Sequence, residues 1–199
     1  MSKCLDACLK GKLFGIGLEF IEVWKKHSCS TNCERCHGCE TVEIETDYLK
    51  KCATYYHQKK DTKSMMKFVN ALPSLDIIRS FLFRRDYFEE LLGVEEAAGN
   101  FEKAADIAEL KGDLLLEADM REKAGQYGLA IKSILFHVQL NSFWGTGNKG
   151  WPLKEFPEKN QLLKKINVIV KKDQTYAYES LQCETSILSN ELHSHPDLT

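Results

Sequence analysis

The sequence predicts an all-α fold, an α-solenoid of short antiparallel helical hairpins with a repeat of about 26 residues. Three observations predict it. Residues 85–136, written thirteen to a line, read RDYFEELLGVEEA, AGNFEKAADIAEL, KGDLLLEADMREK and AGQYGLAIKSILF. In that register Gly99, Gly112 and Gly125 share a column, Phe88, Phe101, Leu114 and Tyr127 share a second, and Leu92, Ala105, Ala118 and Ile131 share a third. Within each line apolar residues recur at helical spacing, and Glu, Lys, Asp and Arg fill the opposite face.

The shape follows from what such a line needs. A helix of about three turns does not persist alone in water, so it buries its stripe on a neighbour. Ala97, Ala98, Ala104, Ala105, Ala108, Ala118, Ala124 and Ala130 are small enough to let helices approach closely. Glycine at each junction takes the left-handed conformation that ends a helix. The alternative is an ordinary helical bundle whose glycines are evenly spaced by chance.

Taken in order, residues 1–26 read as an N-terminal helical hairpin broken near Gly11, its second helix striped by Leu13, Phe14, Leu18, Ile21 and Trp24. Glycines at 15 and 17 count against that second helix. Residues 27–44, HSCSTNCERCHGCETVEI, lack helical periodicity and read as a Cys-rich loop. A helical-repeat core is expected over 45–142. It holds helices at 45–59 (Tyr48, Leu49, Cys52, Tyr55, Tyr56), at 61–71 with Asp61 as N-cap, and at 73–84 with Pro73 in the first turn, before the four lines above. Residues 143–157 form a loop rich in Trp, Gly and Pro. Phe143, Trp144, Trp151 and Phe156 are costly to leave wet, so the loop is expected to fold back on the last hairpin. C-terminal helices are expected over 158–190, at 158–172 and 174–190, and residues 191–199 read as a frayed tail.

Composition narrows the function. The 199 residues are 43% hydrophobic and 28% charged, which is globular composition, and the net charge of −2 sets up no overall field for nucleic acid or an anionic membrane. No run of about 18 apolar residues is present, so no membrane partner is expected. The N-terminus carries charges within its apolar part and no cleavage-site pattern, so it does not read as a signal peptide. Eight cysteines without an export signal favour free thiols or metal over disulfides, and the expected location is intracellular, in nucleus or cytoplasm.

One metal site is a candidate. Cys29, Cys33, Cys36 and Cys39 lie close enough together to hold Zn²⁺ through four thiolates, with His27 and His37 nearby. A structural zinc site normally brings two separated pairs together, and here there is no second arm, so a Cys-rich surface loop is the competing reading. Cys4, Cys8, Cys52 and Cys183 sit in helical patterns and read as small core residues.

No catalytic residue is expected. GTGNKG at 145–150 fits the G-x-G-x-x-G spelling, but a helix precedes it and Trp151-Pro152 follows, where a pyrophosphate cradle needs a strand before and a helix N-terminus after. Gly11-Lys12 lacks the upstream glycine of a Walker A loop, and Leu13 follows it. His57 and His137 fall on apolar faces, at core or rim positions. Basic residues gather modestly, with Lys59, Lys60, Lys63 and Lys67 on one helix and Arg79, Arg84 and Arg85 on the next. They can track a phosphate backbone, although interleaved acidic residues make a solvated face the ordinary reading.

Several strings carry a resemblance. YLKKCATYYHQKKDTKSMMKFVNALPSLDIIRSFL, EEAAGNFEKAADIAELKGDLLLEAD, KAGQYGLAIKSIL and NSFWGTGNKGWPLKEF resemble the helical region that follows the helicase core in plant UvrD-like helicases. That group is also described as similar to TPR and ankyrin repeat-containing protein. The likeness covers about residues 10–190, and its most specific part is the W-G-x-G-x-K-G-W-P-L-K string. It implies a TPR-like helical array appended to a superfamily 1, ATP-dependent helicase. Relatives carry Walker A and B motifs upstream; none stands here, so no helicase residue carries over. The expected function is therefore a non-catalytic interaction scaffold, a fragment or truncated relative of such a helicase. Its partner would be a protein, in cis a helicase core or in trans a peptide. Two alternatives stay open: an accessory part of a helicase that touches nucleic acid, and a small zinc module on a helical support.

Overall fold

Ten helices order the described residues of the computed structural model, which are 1–28, 38–143, 153–172, 184–185 and 188. They are α1 (Ser2–Lys10), α2 (Phe14–Ser28), α3 (Gly38–Gln58), α4 (Thr62–Asn70), α5 (Leu75–Arg84), α6 (Phe88–Ala97), α7 (Phe101–Lys111), α8 (Leu114–Lys123), α9 (Tyr127–Ser142) and α10 (Lys159–Val170). Glu184, Thr185 and Leu188 are also helical, and no strand occurs among the described residues. The fold is all-α.

The thirteen-residue period is longer than the four lines that revealed it. Helices α4 to α9 begin at 62, 75, 88, 101, 114 and 127, six starts in one register. Two residues ahead of these starts stand Lys60, Pro73, Asp86, Gly99, Gly112 and Gly125. Five of the six have positive φ, between 56° and 76°; proline's ring keeps φ negative at the sixth. The next residue's N–H closes each of those five turns by bonding the carbonyl five residues back. The pairs are Asp61 to Tyr56, Tyr87 to Leu82, Asn100 to Glu95, Asp113 to Ala108 and Gln126 to Arg121, at 2.9–3.0 Å. This is the Schellman closure, which satisfies carbonyls that a helix end leaves orphaned. Asp61, Ser74 and Asp113 then cap the following helices, accepting from the N–H of Ser64 (2.9 Å), Ile77 (3.3 Å) and Leu116 (3.1 Å). Pro73 lies just outside α5 and not in its first turn as expected, because Ser74 supplies the cap.

Burial follows the same register. The fourth residue of each helix from α4 to α9 is buried (Met65, Ile78, Leu91, Ala104, Glu117, Ala130), and so is the eighth (Val69, Leu82, Glu95, Ala108, Arg121, Ile134). Positions four apart lie one above the other on a helix, so these pairs mark its inner seam.

The chain divides into two compact units, Met1–Glu90 and Leu91–Thr199, and the boundary falls within α6. In the first unit, α1 packs on α2 and α3, and α3 packs on α4. Phe14 meets Tyr55 (4.8 Å between ring centroids) and Tyr56 (5.7 Å), and Tyr56 stacks on Phe68 (5.4 Å). The expected α2 stripe is partly wrong: Leu13 and Trp24 are 52% and 44% exposed. The buried positions are Phe14, Gly17 and Ile21, and Gly17 is there because the Tyr48 side chain occupies the space a Cβ would need. From that seat the Tyr48 hydroxyl donates to the Phe14 carbonyl at 3.0 Å. Burial, together with the neighbouring Cys52, holds the phenol's pKa well above its ordinary value.

The expected 27–44 loop is helical at both ends, since α2 reaches Ser28 and α3 begins at Gly38. Residues 41–44 bury little, with Val42 41% exposed, so they carry no apolar stripe to read. Buried Glu45 anchors them through an ion pair with Lys25 of α2.

In the second unit, α7 packs on α8, α8 on α9 and α9 on α10. Arg121 of α8 reaches Asp106 (2.8 Å) and Glu109 (3.3 Å) of α7, and Gln126, just past α8, donates to Glu102 at the start of α7 (2.9 Å). Moving forward from Arg121 to Gln126 moves the partner back toward Glu102, so α7 and α8 are antiparallel. Lys165 of α10 pairs with Asp119 and Glu122 of α8, and Lys172, just past α10, pairs with Glu122 (2.7 Å). Partners advance together, so α8 and α10 run parallel. The core here joins Ala118, Ile131, Ile134, Val138, Leu163, Ile166 and Ile169. Leu153 is buried in it and Phe156 packs against it, while the Lys154 N–H returns to the Ser142 carbonyl at 2.8 Å, so residues 153–156 do fold back on the last hairpin. Phe143 does not join them and is 58% exposed. Ala104, Ala105, Ala108, Ala118 and Ala130 are fully buried at helix contacts, whereas Ala97 and Ala98 are exposed and Ala124 is half-buried.

Candidate functional site

The first unit presents a groove of about 500 Å³ between α3 and α5. On α3 it is lined by Asp47, Lys50, Lys51, Thr54, Tyr55 and Gln58, which recur at three- and four-residue spacing and so share one helix face. On α5 it is lined by Ser80, Phe81, Arg84 and Arg85, the last two at the helix C-terminus. The opposite face of α3 is fixed inward by Tyr48, Leu49, Cys52 and Ala53, all at 2% exposure or less. Burying that face leaves the polar face open as one wall.

Four cations line the groove against one carboxylate. Asp47 is engaged by Lys51 at 2.6 Å, one turn away on α3, and that hydrogen bond raises the Lys51 pKa above its ordinary value. Among the described residues no carboxylate lies within ion-pair distance of Lys50, Arg84 or Arg85. The groove offers little open aromatic surface, since of its two aromatic side chains only Tyr55 is half-buried. Phe81 is 5% exposed, and the Tyr55 ring already meets Phe14, Tyr56 at 5.6 Å and the Lys59 ammonium at 5.9 Å from its centroid. The arrangement is therefore suited to binding anionic groups through guanidinium forks and ammonium donors.

Of the basic residues read from the sequence, Arg84 and Arg85 line this groove, and Lys59 borders it through Tyr55. Arg79 instead pairs with Asp76 at 3.1 Å. Lys60, Lys63 and Lys67 are exposed and do not line it. Lys50 and Lys51 were not singled out in the sequence; their signal is the spacing that puts them on the same α3 face as Asp47, Thr54 and Tyr55.

Cys29, Cys33 and Cys36 lie outside the described residues. Cys39 falls in the first turn of α3, and its side chain is not among those described. Among the described residues no group of three or more His, Cys, Asp or Glu is placed to hold a metal ion. Of the cysteines expected in the core, Cys52 is buried and burial pushes its thiol up to about 11, but Cys4 is exposed and Cys8 is only partly buried. These last two occupy outer positions on α1, whose one buried side chain is Leu5. Cys183 and the GTGNKG stretch lie outside the described residues. His57 stacks on Tyr87 at 3.7 Å and His137 meets Phe156 edge-on at 6.3 Å, so both serve packing. No helix of the described residues is long and apolar enough to cross a membrane.

Comparison of the chain with protein-family models, with curated proteins and with solved structures gives no match.

Proposed function

We propose that this chain is a non-catalytic, TPR-like helical-repeat scaffold whose work is to hold a protein partner. The observation that supports this best is the shared register of six helix starts, with a left-handed residue ahead of five of them. Regular short helices joined by equal turns build a surface that repeats along the chain, and such surfaces bind extended or helical segments. The antiparallel α7 and α8 and the parallel α8 and α10 are the neighbour relations that a stack of hairpins requires. The partner is a helicase core in cis or a peptide in trans, and any ATP hydrolysis by the parent machinery resides in other residues. Purified chain incubated with radiolabelled ATP tests this: turnover at background is expected, and turnover above it overturns the reading.

A second reading, an accessory segment of a helicase that touches the strand, draws on the same quoted strings and on the cations of the α3–α5 groove. Titration with single-stranded DNA across a salt series decides it. Binding whose affinity falls steeply with salt favours it, and no binding at low salt ends it. Zinc at Cys29, Cys33, Cys36 and Cys39 is a separate proposal that metal analysis of the purified chain answers.

A further inference from the structure

We infer that the α3–α5 groove is the docking site for an acidic peptide segment of a protein partner. The inference rests on the scaffold reading and names the chemistry of what the scaffold holds. Three features of the groove select that ligand. Lys50, Arg84 and Arg85 have no carboxylate within ion-pair distance among the described residues, and they stand on facing walls, Lys50 on α3 and the two arginines at the end of α5. A strand of carboxylates laid between the walls meets donors from both sides, and each arginine offers a planar fork that matches a carboxylate. Gln58 and Ser80 add uncharged donors and acceptors that suit a peptide backbone, and the Thr54 hydroxyl, which donates to the Lys50 carbonyl at 2.8 Å, adds an acceptor.

The same groove is poorly made for single-stranded nucleic acid, which gains much of its affinity by stacking bases on open aromatic faces. Here Phe81 is buried, and the half-buried Tyr55, which also meets Phe14, Tyr56 and Lys59, is the one aromatic side chain of the lining that keeps exposed surface. The volume of about 500 Å³ takes a short run of side chains and not a long strand.

The test is fluorescence anisotropy with the full chain and a labelled peptide of about ten residues rich in Glu, at about 50 mM and about 200 mM salt. Single-stranded DNA of matched charge is the comparison ligand. Three double variants are measured: Arg84→Gln with Arg85→Gln, Lys50→Gln with Lys51→Gln, and Lys63→Gln with Lys67→Gln. Neutral glutamine keeps the α5 C-terminus free of added negative charge, and far-UV circular dichroism checks that each variant stays helical. The expected result is peptide binding at the lower salt, weakened about tenfold or more by either groove variant, and within about threefold of wild type in the Lys63/Lys67 control. Absence of peptide binding overturns the inference, as does equal weakening by all three variants, which marks a diffuse charge effect. Tighter binding of the DNA, lost in the groove variants, overturns it in favour of a nucleic-acid surface. Absent or diffuse peptide binding leaves the scaffold reading to be judged by ATP turnover, whereas the DNA outcome favours the accessory-segment reading instead.

Discussion

Alanine at Gly112 is expected to destabilise the protein by about 1–2 kcal/mol, the cost of holding an L side chain in the left-handed region. The figure can be isolated because a Cβ at Gly112 meets nothing within 4 Å, so backbone strain is the whole penalty. Gly99 and Gly125 share that openness and have φ of 74° and 76° against 72° at Gly112, so their alanine variants are expected to cost nearly the same. Asp86 is a non-glycine member of the same column, at φ 56°, with a side chain already in place. Asp86→Gly is expected to shift stability the other way, by about 0.5 kcal/mol, since relief of strain is partly offset by a freer unfolded chain. Urea unfolding followed by circular dichroism reads all four variants, and each kcal/mol corresponds to about 2–4 °C in Tm for a chain of this size. The sign carries the argument. If these residues continued a helix instead of ending one, Gly→Ala would stabilise by up to about 1 kcal/mol. A stabilised Gly112→Ala, or three glycine variants of unrelated magnitude, would refute the reasoning.

At Gly17 the expectation is steric. Gly17→Ala drives a methyl into the Tyr48 hydroxyl and ring, so a loss of about 1–3 kcal/mol is expected, and Tyr48→Phe in the same chain should recover part of it by removing the hydroxyl. Equal losses with and without Tyr48→Phe would place the cost elsewhere. Across the second unit, Glu122 has its pKa lowered, first by the hydrogen bond from Lys172, and Lys172 has its pKa raised by the same bond. The carboxylate's contribution is present above its unfolded pKa and lost as pH falls through the folded value. The ammonium's is present below its unfolded pKa and lost as pH rises through the folded value. Glu122→Gln is therefore expected to lower Tm by at most a few degrees at neutral pH, and by less at about pH 3, because the pair is partly exposed. A gap that stays constant or widens on acidification contradicts the linkage.

The helices and their turns were largely legible because the repeat is written in residue types with few substitutes. Glycine at 99, 112 and 125 advertises positive φ, whereas Lys60 and Asp86 take the same conformation without advertising it, so there the expected helix bounds gave the break but not the left-handed residue that makes it. The buried fourth and eighth positions read clearly where they are Leu91, Ala104, Ala108 or Ile134. They did not read at Glu117 and Arg121. They sit buried together, with the Arg121 Nε 3.7 Å from the Glu117 carboxylate and the terminal guanidinium nitrogens bonding Gln126, Asp106 and Glu109, partners that only the fold brings together. Gly17 looked like a weakness in a helix, since its reason, Tyr48, lies 31 residues away. The groove was half legible. Arg84 and Arg85 were visible as a basic pair, but the wall they face depends on which side of α3 is buried, and Tyr55 had been assigned to that buried side.

The proposal stands or falls on the thirteen-residue register as the unit that organises these helices. Tandem duplication of residues 99–124 tests it most directly, because the junction restores Ala-Gly in register and adds one hairpin. The account predicts a protein whose helical signal grows in proportion to the insert and whose urea transition is steeper, with the added surface buried. An insert that contributes only coil signal, or that leaves the chain without a cooperative transition, would contradict it.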